Sequence, residues 1–550
     1  MNRADSAGAK PPSATAAFST LMISSSHRLQ HTSMPTPSIA RKVSPESSTT
    51  GPHALPTEIM HMIFHFVFES CLCLKDGVEG GNPALWLDED PLSPCLFPYA
   101  PACVCLRWFR ILRAVPTYWT RQVITLDAIA TSLIAARTTL AWAGNRPLKV
   151  AVTRHRGTSE THVSERASVR RAMELLRPHI CRIWSLSFDV EHTASIPALW
   201  RENGRAQHLK ALTLMSRSDA SRTTRISKWR ESSYEYVGIL QVPLLRKVTL
   251  SGHFLRNPLM AHPRLASWFK HTTSLTICGG GAASVDAISL YKFLSVLDIF
   301  ASVRELTIED VHFDDDAPYP SLHVLRPAVL CLRRITGRLS LRGLLTPPRA
   351  ETRSREDITI VDCTVHGFQE SDSDSNSRFA STSLTIASMN PNTTIEGLVC
   401  RWNGEQLAVI GCPRVSRAFL ERLHGESAPM CLSRLHIVDC DHFGAGDVVS
   451  LVKSRAKQAA IVSLMDVPDD DVFTALAELR VQGRGPPISV QRAAWLAEHV
   501  ETFSWDTVAK DGVRYVWDGP AKSLRTERGF GSLEVRVGLP LERVNAHGCS

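Results

Sequence analysis

Apolar residues along this chain recur in two rhythms, one helical and one extended. The helical rhythm comes first. Ile59, Met62, Ile63, Phe66 and Val67 follow the spacing i, i+3, i+4, i+7, i+8 of one helix face. Pro56 suits the first helical turn, where its missing N–H costs nothing, and Glu58 sits near the positive helix end. The rhythm returns through Val104, Trp108, Ile111, Leu112 and Val115 until Pro116 stops it. Two short amphipathic helices bury too little surface to be secure alone. Part of their apolar face is therefore expected to be covered by a partner or by the rest of the chain.

From about Arg182 the rhythm becomes that of half-buried strands, apolar at alternate positions. Ile183–Phe188, Leu209–Leu214, Leu245–Leu250, Leu275–Ile277 and Val303–Ile308 open a series that Ile358–Ile360, Leu384–Ile386, Leu407–Val409 and Leu435–Ile437 continue. The middle apolar residues step by 26 (Leu186 to Leu212), 36, 27 and 31, then by 52 with one unit blurred around Leu330 to Leu341, then by 26, 23 and 28. Helical patterns lie between strands, at Ile288–Leu297, Phe419–Leu423 and Val448–Val452. Strand, loop and helix at this spacing approximate the longer leucine-rich repeats, in which each unit buries its apolar face only against its neighbours. Three units share one motif: Ile358-Thr-Ile-Val-Asp-Cys363, Leu407-Ala-Val-Ile-Gly-Cys412 and Leu435-His-Ile-Val-Asp-Cys440. A cysteine at the strand-to-loop corner is expected as a packing residue.

The stretch Leu55-Pro-x-Glu-Ile-x-x-x-Ile-Phe64, then Val104-Cys-x-x-Trp108, then Trp119 after Pro116 resembles an F-box, and in particular the F-box-like proteins abundant in mushroom-forming fungi. The Cys-bearing repeats are similar to those often found behind F-boxes. That resemblance implies a helical motif docking on a Skp-type adaptor within a cullin ubiquitin ligase, through Leu55, Pro56, Ile59, Ile63, Val104 and Trp108. One departure is an insertion over 69–98 between the two halves.

The expected fold class is α/β: a short helical F-box-like head followed by an irregular leucine-rich-repeat solenoid with parallel strands. The expected divisions are a Ser/Thr/Pro-rich N-terminus at 1–50 that buries too little to order, the head at 51–125, the solenoid at 126–510 and a C-terminal cap or tail at 511–550, either hairpins or an irregular cap. A net charge of +8 is modest for 550 residues and does not by itself call for nucleic acid. Fourteen cysteines include no CxxC pair; Cys71/Cys73 and Cys103/Cys105 fall in apolar stretches and read as buried reduced thiols. No secretory signal or bilayer-length apolar run is present, so an intracellular place, cytoplasm or nucleus, and no membrane partner are expected.

Catalytic motifs are missing: no HExxH, GxSxG, Walker loop or GxGxxG. Gly279–Gly281 lacks the Lys-Ser/Thr of a phosphate loop, and Asp372–Asn376 lacks the glycine and glutamate of a calcium loop. His436, Cys440 and His442 gather at one strand end, but strand alternation sends them to different faces. No enzyme activity, metal or cofactor is expected. Two arginine-rich stretches remain, one with Arg222 and Arg225, one running from Arg333 to Arg355 with Arg334 and Arg338. They read either as solvated surface or as a dock for an acidic or phosphorylated protein segment, since Arg pairs bidentately with both groups. Nucleic acid is disfavoured because aromatic residues are not interleaved. The expected function is a substrate-receptor subunit of a ubiquitin ligase, the alternative a leucine-rich scaffold with no ligase role.

Overall fold

The computed structural model describes residues 55–73, 85–86, 90–93, 95–126, 131–154, 161–197, 199, 204–218, 240–255, 268–279, 288–314, 327–337, 344–345, 355–364, 379–390, 393, 395–425, 428–464, 473–518 and 523–528. The N-terminal stretch, most of the loop holding Arg222 and Arg225, Arg338, the Asp372–Asn376 run and the last residues of the tail lie outside these. The chain folds as two compact units, Met1–Leu245 and Arg246–Ser550.

The first unit begins with helix α1 (Thr57–Ser70), which follows Pro56. Within the insertion, Leu72–Cys73 pairs antiparallel with Leu85–Trp86. A short helical turn at Tyr99–Ala102 leads to α2 (Leu106–Arg113), capped by the Cys105 sulfur on the Trp108 N–H. A 3-10 turn at Pro116–Trp119 ends this region, as the proline predicts. Trp119 is fully buried, its indole N–H donating to the Leu112 carbonyl at 3.0 Å, and its ring lies 4.7 Å from Trp142. The expected pair of buried cysteines is corrected here: Cys103 is exposed and Cys105 only half-buried, because Cys103 and Val104 form the turn between helices and Cys105 sits at a helix start.

Four parallel strands follow, β1 (Arg121–Thr125), β2 (Leu148–Thr153), β3 (Ile183–His192) and β4 (Ala211–Ser218), with α3 (Leu133–Trp142) and α4 (His162–Leu176) between the first three. Their inward columns are in register: Ile124, Val152, Phe188 and Leu214 form one, and Gln122, Val150, Leu186 and Leu212 the next. Gln122 is tolerated in an apolar column because its amide is satisfied, donating to the Trp119 carbonyl and accepting from the Thr139 hydroxyl at 2.7 Å. β1 falls inside the span expected for the head, so the parallel sheet begins earlier than the pattern from Arg182 suggests.

The second unit is dominated by ten parallel strands: β5 (Lys247–Ser251), β6 (Ser274–Cys278), β7 (Glu305–Glu309), β8 (Val329–Arg333), β9 (Arg355–Val361), β10 (Phe379–Ala387), β11 (Gln406–Ile410), β12 (Arg434–Val438), β13 (Glu478–Arg484) and β14 (Thr502–Val508). Val248, Leu275, Leu306, Leu330, Ile358, Leu384, Leu407, Leu435 and Leu479 stand opposite one another in turn, all buried. The blurred unit of the sequence is β8, with Leu330 in the column. Two antiparallel strands, β15 (Val513–Asp518) and β16 (Ser523–Arg528), close the described part as the tail composition predicts. Helices α5 (Leu290–Leu297), α6 (Arg417–Arg422) and α7 (Ala445–Val462) lie between strands where the helical patterns place them, and α8 (Val490–His499) lies between β13 and β14.

The shared Asp/Gly-Cys motif builds a corner. Asp310, Arg334, Asp362, Ser388, Gly411 and Asp439 directly follow their strands and all have φ between 49° and 58°. Each donates its N–H to the neighbouring strand: to the carbonyls of Arg333, Val361, Ala387, Ile410, Val438 and Gln482, at 2.8 to 3.0 Å. Asp and Gly recur there because they enter the left-handed region at least cost. The next residue turns inward. Cys363, Cys412 and Cys440 are buried and donate their thiols to the preceding strand's Leu332, Ile386 and Val409 carbonyls. Burial pushes the Cys363 and Cys440 thiols up to about 12, so they stay protonated packing groups.

Candidate functional site

The head packs through one face of α1 and leaves the other bare. Met60 and Phe64 are buried; the Phe64 ring meets Trp108 edge-on at 5.2 Å, and Phe68 lies 5.0 Å from Tyr118. The periodic stripe of the sequence is the opposite face. Ile59 and Ile63 are exposed, and between them and beyond, Met62 and Phe66 show 68% and 74% of their surface. Val67 continues the stripe at lower exposure.

The remaining adaptor candidates join this face from two directions. Leu55 and Pro56 are exposed at the start of α1, and the Leu55 carbonyl accepts a hydrogen bond from the Arg107 guanidinium of α2. That bond ties the beginning of α1 to the turn carrying Val104, 60% exposed, and Leu106, also exposed. Trp108 is half-buried, with one ring edge committed to Phe64. Of the six predicted residues, five are therefore available at the surface and Trp108 is chiefly a packing residue. Leu106 was not foreseen, although it is apolar and sits between Val104 and Trp108.

A helix face with five large apolar residues facing water is a patch of the kind that marks an interaction site. Fully burying each such side chain contributes about 1.5–3 kcal/mol. The stripe itself is apolar throughout, with the exposed His65–Glu69 pair at 3.2 Å beside it, a surface suited to docking. Among the described residues no group of three or more His, Cys, Asp or Glu side chains could hold a metal. His436 bonds instead to Glu478 at 3.1 Å, Cys440 to carbonyls, and His442 to Asp441 at 3.4 Å. No described helix is long and apolar enough to cross a membrane.

Two arginines of the second stretch, Arg334 and Arg355, are held by the chain itself, while Arg338, Arg342, Arg349 and Arg353 lie outside the described residues. Arg334 bonds both carboxylate oxygens of Asp310 and reaches Glu309 at 2.6 Å, and these bonds, that to Asp310 foremost, raise its pKa above the ordinary guanidinium value. Arg355 is buried and donates to the Leu344 carbonyl at 2.9 Å. Arg217, at the edge of the first stretch, pairs with Asp189 at 2.8 Å. Arg334 and Arg217 thus find their counter-charges about 24 to 28 residues away, at a neighbouring strand, which composition alone does not reveal.

The chain matches no family model, and no curated protein matches it at a significant level.

Proposed function

We propose that this protein is a substrate receptor of a cullin-type ubiquitin ligase. Its head docks on a Skp-type adaptor through Leu55, Pro56, Ile59, Ile63 and Val104, with Trp108 bracing the helix from behind. Met62, Phe66 and Leu106 extend the contact. The parallel strands and their repeated corners are read as an irregular leucine-rich solenoid that holds a protein substrate. Arg222, Arg225, Arg334 and Arg338 meet an acidic or phosphorylated segment, with Arg334 contributing least because Asp310 and Glu309 already neutralise it.

The observation that carries the docking role is the bare apolar stripe of α1, whose opposite face is already packed. A stripe that the described residues leave uncovered calls for a partner of complementary shape. The test is co-purification. Leu55→Ala combined with Pro56→Ala, and separately Ile59→Asp with Ile63→Asp, should remove a Skp-type adaptor and cullin from the recovered complex, with circular dichroism unchanged. Full adaptor recovery by both soluble variants, or no adaptor with the wild type, would leave the scaffold reading in place.

A further inference from the structure

The positive charge of this chain is concentrated in one stretch. Residues 99–182 hold fourteen Lys and Arg against four Asp and Glu, a net +10, whereas the whole chain carries +8, so everything outside that stretch sums to −2. The first unit displays this excess on its helices. On α2, Arg110 and Arg113 are exposed; on α3 and the turn behind it, Arg137 and Arg146. On α4 and its continuation, Arg166, Arg170, Arg171 and Arg177 are exposed. The described residues of the stretch include two carboxylates, and only one reaches the surface. Glu174 pairs with Arg170 at 3.3 Å, one turn along α4. Glu165 is fully buried and accepts the Glu191 and His192 N–H groups of β3. Arg110, Arg137, Arg146 and Arg171 have no side-chain partner among the described residues.

The three helices are fastened to one another. The Arg113 guanidinium of α2 lies 5.4 Å from the Trp142 ring of α3, and Phe109 meets the same ring edge-on at 5.3 Å. Arg182, which ends the 3-10 continuation of α4, donates to the carbonyls of Leu140 and Arg146 at 2.9 and 3.2 Å. The arginines therefore stand on a fixed frame, and a partner need order only their side chains. Like charges gathered this way attract an anionic partner, and the rest of the layer selects which kind. Single-stranded nucleic acid is gripped by stacking on exposed rings. Here the rings turn inward: Phe109, Tyr118 and Trp119 are buried and Trp142 is half-buried beneath Arg113. Apolar side chains stand among the arginines instead, with Ile134 60% and Val163 64% exposed at the starts of α3 and α4. A protein surface bearing carboxylates supplies both needs, ion pairs for the guanidiniums and cover for Ile134 and Val163. Arginine is the cation best suited to such contacts, being weakly hydrated and able to hold a carboxylate with two bonds.

We propose that the layer of α2, α3 and α4 is a docking surface for an acidic segment of a partner protein. Arg110, Arg137, Arg146 and Arg171 meet its carboxylates, and Ile134 and Val163 its apolar residues. The proposal is independent of the adaptor-docking stripe of α1, and its test uses no adaptor. The purified full chain would be titrated, by fluorescence anisotropy, into a labelled glutamate peptide of about twenty residues with leucine at every fourth position. Polyglutamate of the same length, a DNA duplex and phosphatidylserine vesicles complete the set of probes. The leucine-bearing acidic peptide should bind most tightly, and raised salt should weaken it. Arg137→Glu combined with Arg171→Glu should lower its affinity at least about tenfold, since like charges then face one another. Lys247→Glu with Arg304→Glu makes the same change in net charge on exposed residues of the second unit, and should stay within about twofold. Ile134→Ser with Val163→Ser should erase the advantage of the leucine-bearing peptide over polyglutamate. Thermal melts identify a variant that has not folded, and Arg137→Gln with Arg171→Gln then replaces the double reversal. No binding by the wild type, equal losses from the two double reversals, or tighter binding of the duplex or the vesicles than of the peptide would overturn the proposal.

Discussion

Two apolar stripes of this protein have the same kind of regularity and opposite fates. In the second unit, Leu384, Leu407 and Leu435 sit in one column and expose nothing. In the head, Ile59, Met62, Ile63 and Phe66 follow an equally clean period and face water. The difference lies in what is available to cover each. A strand repeated in register supplies its own neighbours, and every strand covers the one beside it. A single helix has two sides and, here, packing for one. Met60 and Phe64 take the inside, so the more regular stripe is left for something else. Periodicity identifies an apolar face; the supply of neighbours decides whether that face is core or interface.

The contrast can be tested by mutation. Leu407→Ala should lower unfolding free energy by about 2–5 kcal/mol, because a cavity opens in a column that cannot collapse around it. Met62→Ser, chemically no milder, should stay within about 0.5 kcal/mol, since it alters mostly exposed surface. Urea melts of the two variants would show this, and equal losses would erase the distinction between the stripes.

A smaller effect sharpens the account of the corners. Ser388 holds φ 51°, a region that costs an L-residue roughly 1–2 kcal/mol and costs glycine almost nothing. Ser388→Gly should therefore raise stability by about 0.5–1 kcal/mol after glycine's extra unfolded-state entropy is subtracted. A loss of stability would mean that the serine side chain, not the backbone, holds that corner.

The gentlest effect is a dependence on pH. Burial holds the His436 imidazole below its ordinary value, against the opposing pull of Glu478. The unfolded chain then takes up the proton first, near pH 6.5, while the folded one resists it. The stability that His436 supports is present above about pH 6.5 and declines as pH falls below it. His436→Gln should flatten that part of the pH profile in denaturant melts; an unchanged slope would assign it to other groups.

The strands of the second unit were legible because alternating Leu, Ile and Val over five residues admits few other structures. β13 was not, since the 44 residues from Leu435 to Leu479 broke the expected spacing although Leu479 and Val481 alternate properly. β1 was hidden differently: Arg121 and Gln122 are buried polar residues, and a hydropathy pattern cannot see that Thr139 and Trp119 satisfy the glutamine. β2 carries Leu148, Val150 and Val152 in clear alternation and could have been read. At the head, sequence identified the apolar positions of α1 but not which side would pack, because Met60 and Phe64 are out of phase with the stronger stripe. The role of Arg334 was unreadable for a further reason: its partners Glu309 and Asp310 precede it by one whole repeat.

The corner has an evolutionary side. From each of the strands β7 to β12 to its left-handed residue and on to the buried residue behind it, the count is fixed, because a single insertion there would turn the inward column outward. The path back to the next strand carries no such count: successive column residues are separated by as few as 23 residues, between Leu384 and Leu407, and as many as 44, between Leu435 and Leu479. Each doubling of such a connection adds only about 0.6 kcal/mol of closure entropy. A lineage of such proteins can therefore lengthen, shorten and diversify its return loops freely while its strands and corners stay frozen. Descendants would share an interior and differ almost entirely in their return loops, where new partners can be acquired.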